Sequence, residues 1–124
     1  MGTLKAKIAL ESGDLNSGAL DAVYTKDLTV TKGGILLTEI DVIKDDDAIA
    51  LLKAADHASG TKVYIRNKHT INDLNLLFLT GGTPAESNMQ LKPGQFAFFP
   101  WTASVDIRAW ASAADTPVEY GTFV

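Results

Sequence analysis

The sequence contains no cysteine and only two histidines among its 124 residues. Without cysteine there is no disulfide framework and no thiolate that could act as a nucleophile or a metal ligand. His57 and His69 are far apart in the chain, and neither has a second histidine at the short spacing that is typical of a metal site. We therefore expect no bound metal and no cofactor.

Basic residues are also few. Lys and Arg number 11 against 15 Asp and Glu, which gives a formal net charge of −4. A protein that binds nucleic acid by neutralising phosphates needs a basic surface, so nucleic acid is not an expected partner. No apolar run reaches the length of about 18 residues that a transmembrane helix needs, and 1–13 lacks the apolar stretch of a secretion signal. A membrane is therefore not an expected partner either.

Catalytic motifs are absent as well. The sequence has no Gly-x-Ser-x-Gly, no phosphate-binding glycine loop and no dinucleotide fingerprint. Glu39 and Asp41 share one face of a predicted strand and form a candidate acid–base pair, but antiparallel sheets expose a polar face as a rule. The aspartates at 45–47 resemble the start of a calcium loop, yet Ala50 stands where that loop needs glycine. We predict that the protein is not an enzyme.

What the chain does contain is a series of short β-like runs. Alternating or continuous apolar residues predict strands over 4–10, 28–31, 35–43, 62–67, 74–80, 95–99, 104–111 and 118–123, with a short extended piece at 19–23. Turn residues separate most of these runs, and no repeated βαβ pattern occurs. The sequence therefore predicts an all-β fold, an antiparallel β-sandwich of jelly-roll type that spans 1–124 as a single domain.

Two of the turns carry specific predictions. The segment 91–94 places proline before glycine, as in a type II turn in which the glycine has a positive φ. The Lys32-Gly33-Gly34 segment predicts a hairpin between 28–31 and 35–43, because a short glycine-containing turn joins two β-rich runs.

The segment 46–57 allows two interpretations. It is alanine-rich and follows Asp45, a good N-cap, so it could form a short helix with Ile49 and Leu52 on one face. Ile49 and Leu51 also fit the alternation of a strand, which a helical turn at 54–57 would follow. The pattern alone leaves both open.

The last third of the chain, 90–124, holds both tryptophans and four of the five phenylalanines. Aromatic side chains bury large apolar areas, so this region is expected to supply much of the core. Pro100 is expected to end the strand over 95–99, because proline cannot donate to a sheet ladder.

Three residues of this region are interface candidates. Trp110 shares a strand face with Arg108, and Trp101 directly follows Pro100. Tryptophan and arginine are enriched at the energetic centres of protein interfaces. Packing in or around the core and stacking on a sugar ring are the alternatives for both tryptophans.

The order of several segments resembles a known family. These segments are Val63-Tyr64-Ile65-Arg66-Asn67, Leu91-Lys92-Pro93-Gly94, Phe99-Pro100-Trp101 and Val118-Glu119-Tyr120, within 61–124. In this order they resemble the small β-sandwich decoration, or cement, proteins of tailed bacteriophage capsids. The resemblance implies a structural virion protein on the outer capsid surface that binds and stabilises the major capsid protein, commonly as a homotrimer.

The resemblance also implies a role for the N-terminal segment. In such proteins an N-terminal arm often contacts neighbouring subunits, so 1–10 is either an interacting arm or a strand, and Leu4 and Ile8 are further interface candidates. Two alternatives remain open: a carbohydrate-binding β-sandwich of a phage tail or adhesion device, and, ranked last, a cupin-type enzyme, for which two distant histidines are too few.

Overall fold

The structure is a computed structural model that describes residues 2–13, 20–40, 49–78, 88–111 and 115–124. The strands in these ranges are β1 (Gly2–Ser12), β2 (Leu20–Val30), β3 (Gly33–Ile40), β4 (Ile49–Leu52), β5 (Thr61–Asn67), β6 (Leu74–Phe78), β7 (Met89–Leu91), β8 (Phe96–Trp101), β9 (Ile107–Ala111) and β10 (Thr116–Phe123). Every strand pair is antiparallel. The predicted all-β, antiparallel class is therefore confirmed. In the ranges described, no helix has the length and apolarity to span a membrane.

The chain divides into two compact units, Met1–Lys32 and Gly33–Val124. In the first unit, β1 and β2 form one long hairpin whose pairing runs without a register shift from Gly2↔Val30 to Ser12↔Leu20. The segment 1–10, for which an arm or a strand was expected, is thus largely a strand that pairs within its own chain.

The hairpin predicted between 28–31 and 35–43 is wrong. β2 pairs with β1, whereas β3 pairs with β10. Gly33 is not a turn residue but the first residue of β3, and the ring of Phe123 on β10 fills the space that a side chain at Gly33 would need. Glycine at this position therefore allows two strands to approach closely, and it does not form a tight turn.

The second unit consists of two four-stranded sheets. The first sheet has the strand order β3-β10-β5-β8, and the second has the order β4-β9-β6-β7. The pairing is nested along the chain: β3 pairs with β10, β4 with β9, β5 with β8 and β6 with β7. This nested order is compatible with the predicted jelly-roll winding, which stays a prediction.

The core lies between the inner faces of these two sheets. Its buried apolar residues are Leu52, Val63, Ile65, Leu74, Leu76, Leu91, Trp101, Ile107, Ala109 and Val118. Five of these ten lie in 90–124, so the last third supplies half of the buried cluster. Among its four phenylalanines, however, only Phe99 packs against the cluster. β6 is buried at four of its five positions and lies between β9 and β7, as predicted for an internal strand.

The two interpretations of the segment 46–57 are resolved by tertiary pairing. In the segment 46–57, the described residues form β4 and then a 3₁₀ turn at Ala54–Asp56, so the strand interpretation is correct. Pairing with β9 outweighs the helix propensity of the alanines, and the Ala54 backbone N–H donates to Asp106 Oδ1 at 2.8 Å. The proposed N-cap Asp45 and the aspartates at 45–47 lie outside the described residues.

β8 does not end before Pro100, as predicted, but runs through it to Trp101. β8 is one of the two edge strands of the first sheet. The Trp101 carbonyl accepts the Gly60 N–H at 3.0 Å, so the backbone polar groups of Pro100, one residue earlier, face away from the sheet. Proline is tolerated at such a position because no ladder hydrogen bond is lost there.

A buried asparagine at the end of β5 holds two loops together. Asn67 is fully buried, and its Nδ2 donates to the carbonyl oxygens of Asn72 at 2.8 Å and Leu91 at 2.9 Å. Its Oδ1 accepts the backbone N–H of His69 at 2.9 Å. Its own carbonyl accepts the N–H of Gly94, whose φ of 77° confirms the positive φ predicted for this glycine. The turn closes one residue later than predicted, over 92–95, because the Gln95 N–H donates to the Lys92 carbonyl at 2.9 Å.

Candidate interaction surface

The outer face of the first sheet is unusually rich in apolar side chains. Inward residues of β5 and β8 alternate with outward ones, and the strand register aligns the outward set across the sheet. We call this set the aromatic face; it consists of Ile35, Leu37, Tyr64, Phe96, Phe98 and Phe123. Polar residues at Lys62, Arg66 and Glu119 lie among them.

Much of the aromatic face is open to solvent. Ile35, Leu37 and Phe96 are 56%, 69% and 65% exposed, although each is a large apolar residue. On the other side of the same sheet, Val63, Ile65 and Val118 are fully buried in the core, whereas Leu36 of β3 is 61% exposed. Ile35 and Leu37 lie on the edge strand β3 and Phe96 on the opposite edge strand β8, with Glu119 and Arg66 between Leu37 and Phe96. Exposed apolar side chains that share one face of a sheet mark a candidate interaction surface. The face is therefore the candidate functional site of the chain.

Hydrogen bonds organise the polar centre of the aromatic face. The Tyr64 hydroxyl donates to Glu119 Oε1 at 2.8 Å, and Arg66 lies on the same face next along β5. Nε of Arg66 is buried and has no hydrogen-bond partner among the described residues. Burial, followed by the hydrogen bond to Glu119 and its charge, raises the pKa of Tyr64 above 10.0. Tyrosine and arginine within apolar surroundings are typical of strongly contributing interface residues.

The raised pKa of Tyr64 predicts a loss of stability at alkaline pH. Because the folded state holds the phenolic proton more tightly than the unfolded chain, the contribution is complete below about pH 10 and is lost as the pH rises through the folded pKa. We expect the unfolding free energy, measured in urea at about pH 8 and about pH 11, to fall more in the wild type than in Tyr64→Phe. Equal losses of unfolding free energy in the two proteins would show that folding does not raise the pKa of Tyr64.

An open hollow of about 330 Å³ adjoins the aromatic face. Its lining residues are Arg66, Asn67, Lys68, His69, Thr70, Pro93 and Gly94. Arg66 and Lys68 give the hollow a positive charge, so it suits a carboxylate on a partner better than a basic group.

The two histidines stabilise local structure. His69 Nδ1 accepts the backbone N–H groups of Ile71 and Asn72, each at 2.9 Å, so in the neutral ring the proton lies on Nε2. His57 lies with its ring centroid 5.3 Å from that of Trp101. In the described part of the chain, no three His, Asp or Glu residues come together as a candidate metal site. Of the candidate acid–base pair, Asp41 lies outside that part.

The interface candidates from the N-terminal segment lie on the hairpin. Ile8 is 53% exposed and stands opposite Tyr24, which is 74% exposed; Leu4 is half-buried and stands opposite Leu28. These residues share one face of the hairpin, since cross-strand partners point to the same side.

Trp101 is a core residue and not a surface one. It is only 6% exposed, and its Nε1 donates to the Val105 carbonyl at 3.2 Å. A side chain with so little accessible surface offers almost no contact area to a partner or a sugar, so its assignment as an interface candidate is corrected to core packing. The physical reason is the alternation of β8: Trp101 lies two residues after the inward-facing Phe99, so both side chains point to the same face.

Arg108 and Trp110 lie on the outer face of the second sheet. Arg108 stands opposite Leu77, and Trp110 stands opposite Asn75. Both candidates are half-buried, and Leu77 and Asn75 are buried, so this area is less accessible than the aromatic face. Their interface role stays a prediction.

No family model, curated protein or solved structure matches the chain. The alternation along 62–67 predicted that Tyr64 and Arg66 point away from the side of the strand that carries Val63 and Ile65, and the structure confirms this. Sequence reasoning did not single out Phe96, because a continuous apolar run does not reveal which of its residues face outward.

Proposed function

We propose that the chain is a structural binding protein, a decoration protein that attaches to the outer surface of a tailed bacteriophage capsid and stabilises the shell of major capsid protein. The attachment surface is the aromatic face. This role needs a rigid body and an exposed contact surface, and it requires no catalytic group, metal or cofactor.

One observation carries the proposal: large apolar side chains on the outer face of the first sheet are exposed, although β5 and β10 of the same sheet pack their other face into the core. Ile35, Leu37 and Phe96 contribute little to the core, so their exposure is unfavourable for the chain alone. Contact with a protein partner would remove this area from water. The open face of a four-stranded sheet with aromatic side chains suits a broad protein surface better than it suits a small ligand.

The polar residues supply specificity in this proposal. The Tyr64–Glu119 hydrogen bond fixes both side chains before binding, which lowers the entropy cost of association. The positively charged hollow at Arg66 and Lys68 would receive an acidic side chain of the major capsid protein.

The carbohydrate-binding alternative ranks second. It requires exposed tryptophan rings at Trp101 and Trp110, and the first of these is buried. Phe96 is an exposed ring that could stack on a sugar, so binding to glycans is the outcome that would favour this alternative.

A co-sedimentation experiment with phage heads tests the proposal. Purified protein is mixed with heads that lack it, and bound protein is measured after centrifugation. We expect the double variant Leu37→Ser/Phe96→Ser to bind about 100-fold more weakly than the wild type, because it removes two exposed anchors at the cost of very little core packing.

The matched control is Ile71→Ser. Ile71 is 77% exposed, as apolar as the residues of the aromatic face, but lies in the loop between β5 and β6. It should bind like the wild type. Failure of the wild-type protein to bind heads, or equal binding by the double variant, would contradict the proposal.

A further inference from the structure

The strand β1 has one unpaired edge. β2 pairs with β1 along all 11 residues of Gly2–Ser12, and within the described ranges no strand pairs with the other side. A proline or a bulge often prevents an edge strand from pairing with a further strand. β1 contains no proline, and its pairing with β2 has no bulge. On the unpaired side, the backbone N–H and C=O groups of alternate residues of β1 are therefore available for another strand.

The charges on β1 are arranged unevenly. On its polar face, Lys5 and Lys7 lie towards one end and Glu11 towards the other. Within the hairpin, Lys5 stands opposite Asp27, a favourable pair, but Glu11 stands opposite Asp21, which is a pair of like charges. Like charges directly opposite each other destabilise a sheet. The hairpin alone thus leaves an excess of negative charge at this end of its polar face.

We propose that β1 pairs with β1 of a second copy of this chain, antiparallel and about a two-fold axis at Ile8. In this register Lys5 stands opposite Glu11 of the partner subunit, and Lys7 stands opposite the partner subunit's Ala9. The symmetry produces each contact twice. A basic side chain then lies beside each Glu11–Asp21 pair and offsets its repulsion.

The apolar face supports the same arrangement. Leu4, Ala6, Ile8 and Leu10 lie on this face, and Ile8 and Leu10 are 53% and 56% exposed. The pairing sets Ala6 opposite Leu10 of the partner subunit and joins two ribbons into one four-stranded sheet. A two-stranded hairpin is marginally stable by itself, whereas three or more strands with an apolar face can be stable.

Other registers fit less well. A shift by one residue would place apolar side chains opposite polar ones, because the faces alternate along a strand. A shift by two residues in one direction would oppose Lys7 to Lys7 of the partner subunit. A shift in the other direction would move the axis to Ala9 and shorten the pairing; it would set Lys7 opposite Glu11 of the partner subunit but leave Lys5 without a carboxylate. The outer edge of β2 is less suitable, since its charges on the polar face are Asp21 and Asp27.

This pairing closes on itself and yields a dimer, whereas the resemblance to capsid decoration proteins implies a trimer. The inference does not depend on the proposed function, because it uses only the hairpin. The mass of the purified full-length protein in solution separates the possibilities: we expect a dimer that dissociates on dilution, and a monomer or a trimer over the accessible concentrations would overturn the pairing.

Charge reversal tests the register. In Lys5→Glu alone, two carboxylates face each other at both symmetric contacts, and in Glu11→Lys alone two ammonium groups do. We expect each variant to dimerise about tenfold more weakly or worse, and an equimolar mixture of the two to recover wild-type affinity. Recovery in the mixture would not occur if the single variants simply failed to fold. Because Lys5→Glu also sets two carboxylates opposite each other within its own hairpin, at 5 and 27, circular dichroism must first show that this variant keeps the wild-type fold. Folded single variants that dimerise normally, or a mixture of folded variants that does not recover, would refute the register.

Disulfide cross-linking provides a second test. The chain has no cysteine, so a single engineered thiol can link only to another copy. Ile8→Cys should form a covalent dimer on mild oxidation, since directly opposed residues in antiparallel strands have the Cα separation of a disulfide. Ala9→Cys, the matched control, faces Lys7 of the partner subunit and should link much more slowly. Equal rates, or faster linking by Ala9→Cys, would contradict an axis at Ile8.

Discussion

Replacing Asn67 with alanine is expected to lower the free energy of unfolding by about 3 to 4 kcal/mol, the largest effect of any polar substitution considered in this chain. The side chain is fully buried and makes three hydrogen bonds, to the carbonyls of Asn72 and Leu91 and to the N–H of His69. Alanine would remove these contacts, of which the one to the Leu91 carbonyl is buried and the other two are partly buried. An unpaired buried group costs about 1–3 kcal/mol before relaxation. Urea unfolding measured by tryptophan fluorescence gives the change.

Asn88→Ala is the matched control for this prediction. Asn88 Oδ1 accepts the Phe78 N–H at 2.9 Å, but the contact is exposed, so water can replace it. We expect a loss below about 1 kcal/mol. If Asn67→Ala cost no more than Asn88→Ala, then the loop between β5 and β6 and the turn before β8 would not depend on Asn67.

The second large effect is expected for Gly121→Ala, which should destabilise the protein by about 2–3 kcal/mol. A Cβ atom at Gly121 would lie 2.5 Å from the Gly34 carbonyl oxygen and 3.2 Å from Ile35 Cγ1. The first contact is with backbone, which cannot move aside without separating β3 from β10. Because β3 carries Ile35 and Leu37, we also expect weaker binding through the aromatic face.

Gly34→Ala offers a control on the neighbouring strand. No atom lies within 4 Å of a Cβ placed at Gly34, and its φ lies outside the left-handed region. This substitution should change the unfolding free energy by less than about 1 kcal/mol. Thermal unfolding followed by circular dichroism compares the two variants, and similar melting temperatures for both would show that β3 and β10 can adjust to the extra methyl group.

Local periodicity was sufficient to predict most individual strands. Val63 and Ile65 alternate with Tyr64 and Arg66 in a way that only a half-buried strand explains, and the structure buries the first pair and exposes more of the second. The continuous apolar run that became β6 likewise predicted an internal strand. These signals depend on near neighbours in the chain, which is why they could be interpreted without the fold.

Strand pairing could not be predicted in the same way. Gly33 carries the same sequence signal whether it forms a tight turn or permits Phe123 to approach, and only the position of β10 distinguishes the two. Pro100 ends a strand in most contexts but is accommodated on the edge strand β8. Both errors arose because the deciding partner lies far away in the sequence.

The candidate surface shows the same limit. The last third was correctly expected to contribute to the core, but the aromatic residues there divide between two faces. Trp101 and Phe99 point inward, whereas Phe96 and Phe98 point outward, and the register with β5 determines this division. The number of aromatic residues in a segment therefore does not indicate whether they fold the protein or bind a partner.

The nested strand pairing has a consequence for synthesis of the protein. β10 lies between β3 and β5, so the first sheet has a gap at its centre until residues 116–123 have emerged from the ribosome. The nascent sandwich therefore cannot close during translation of the preceding strands, and its folding rate is limited by contacts that are distant in sequence. Until then β3 has no neighbour in its sheet, and chaperones that hold apolar segments would have their longest opportunity to act on this strand.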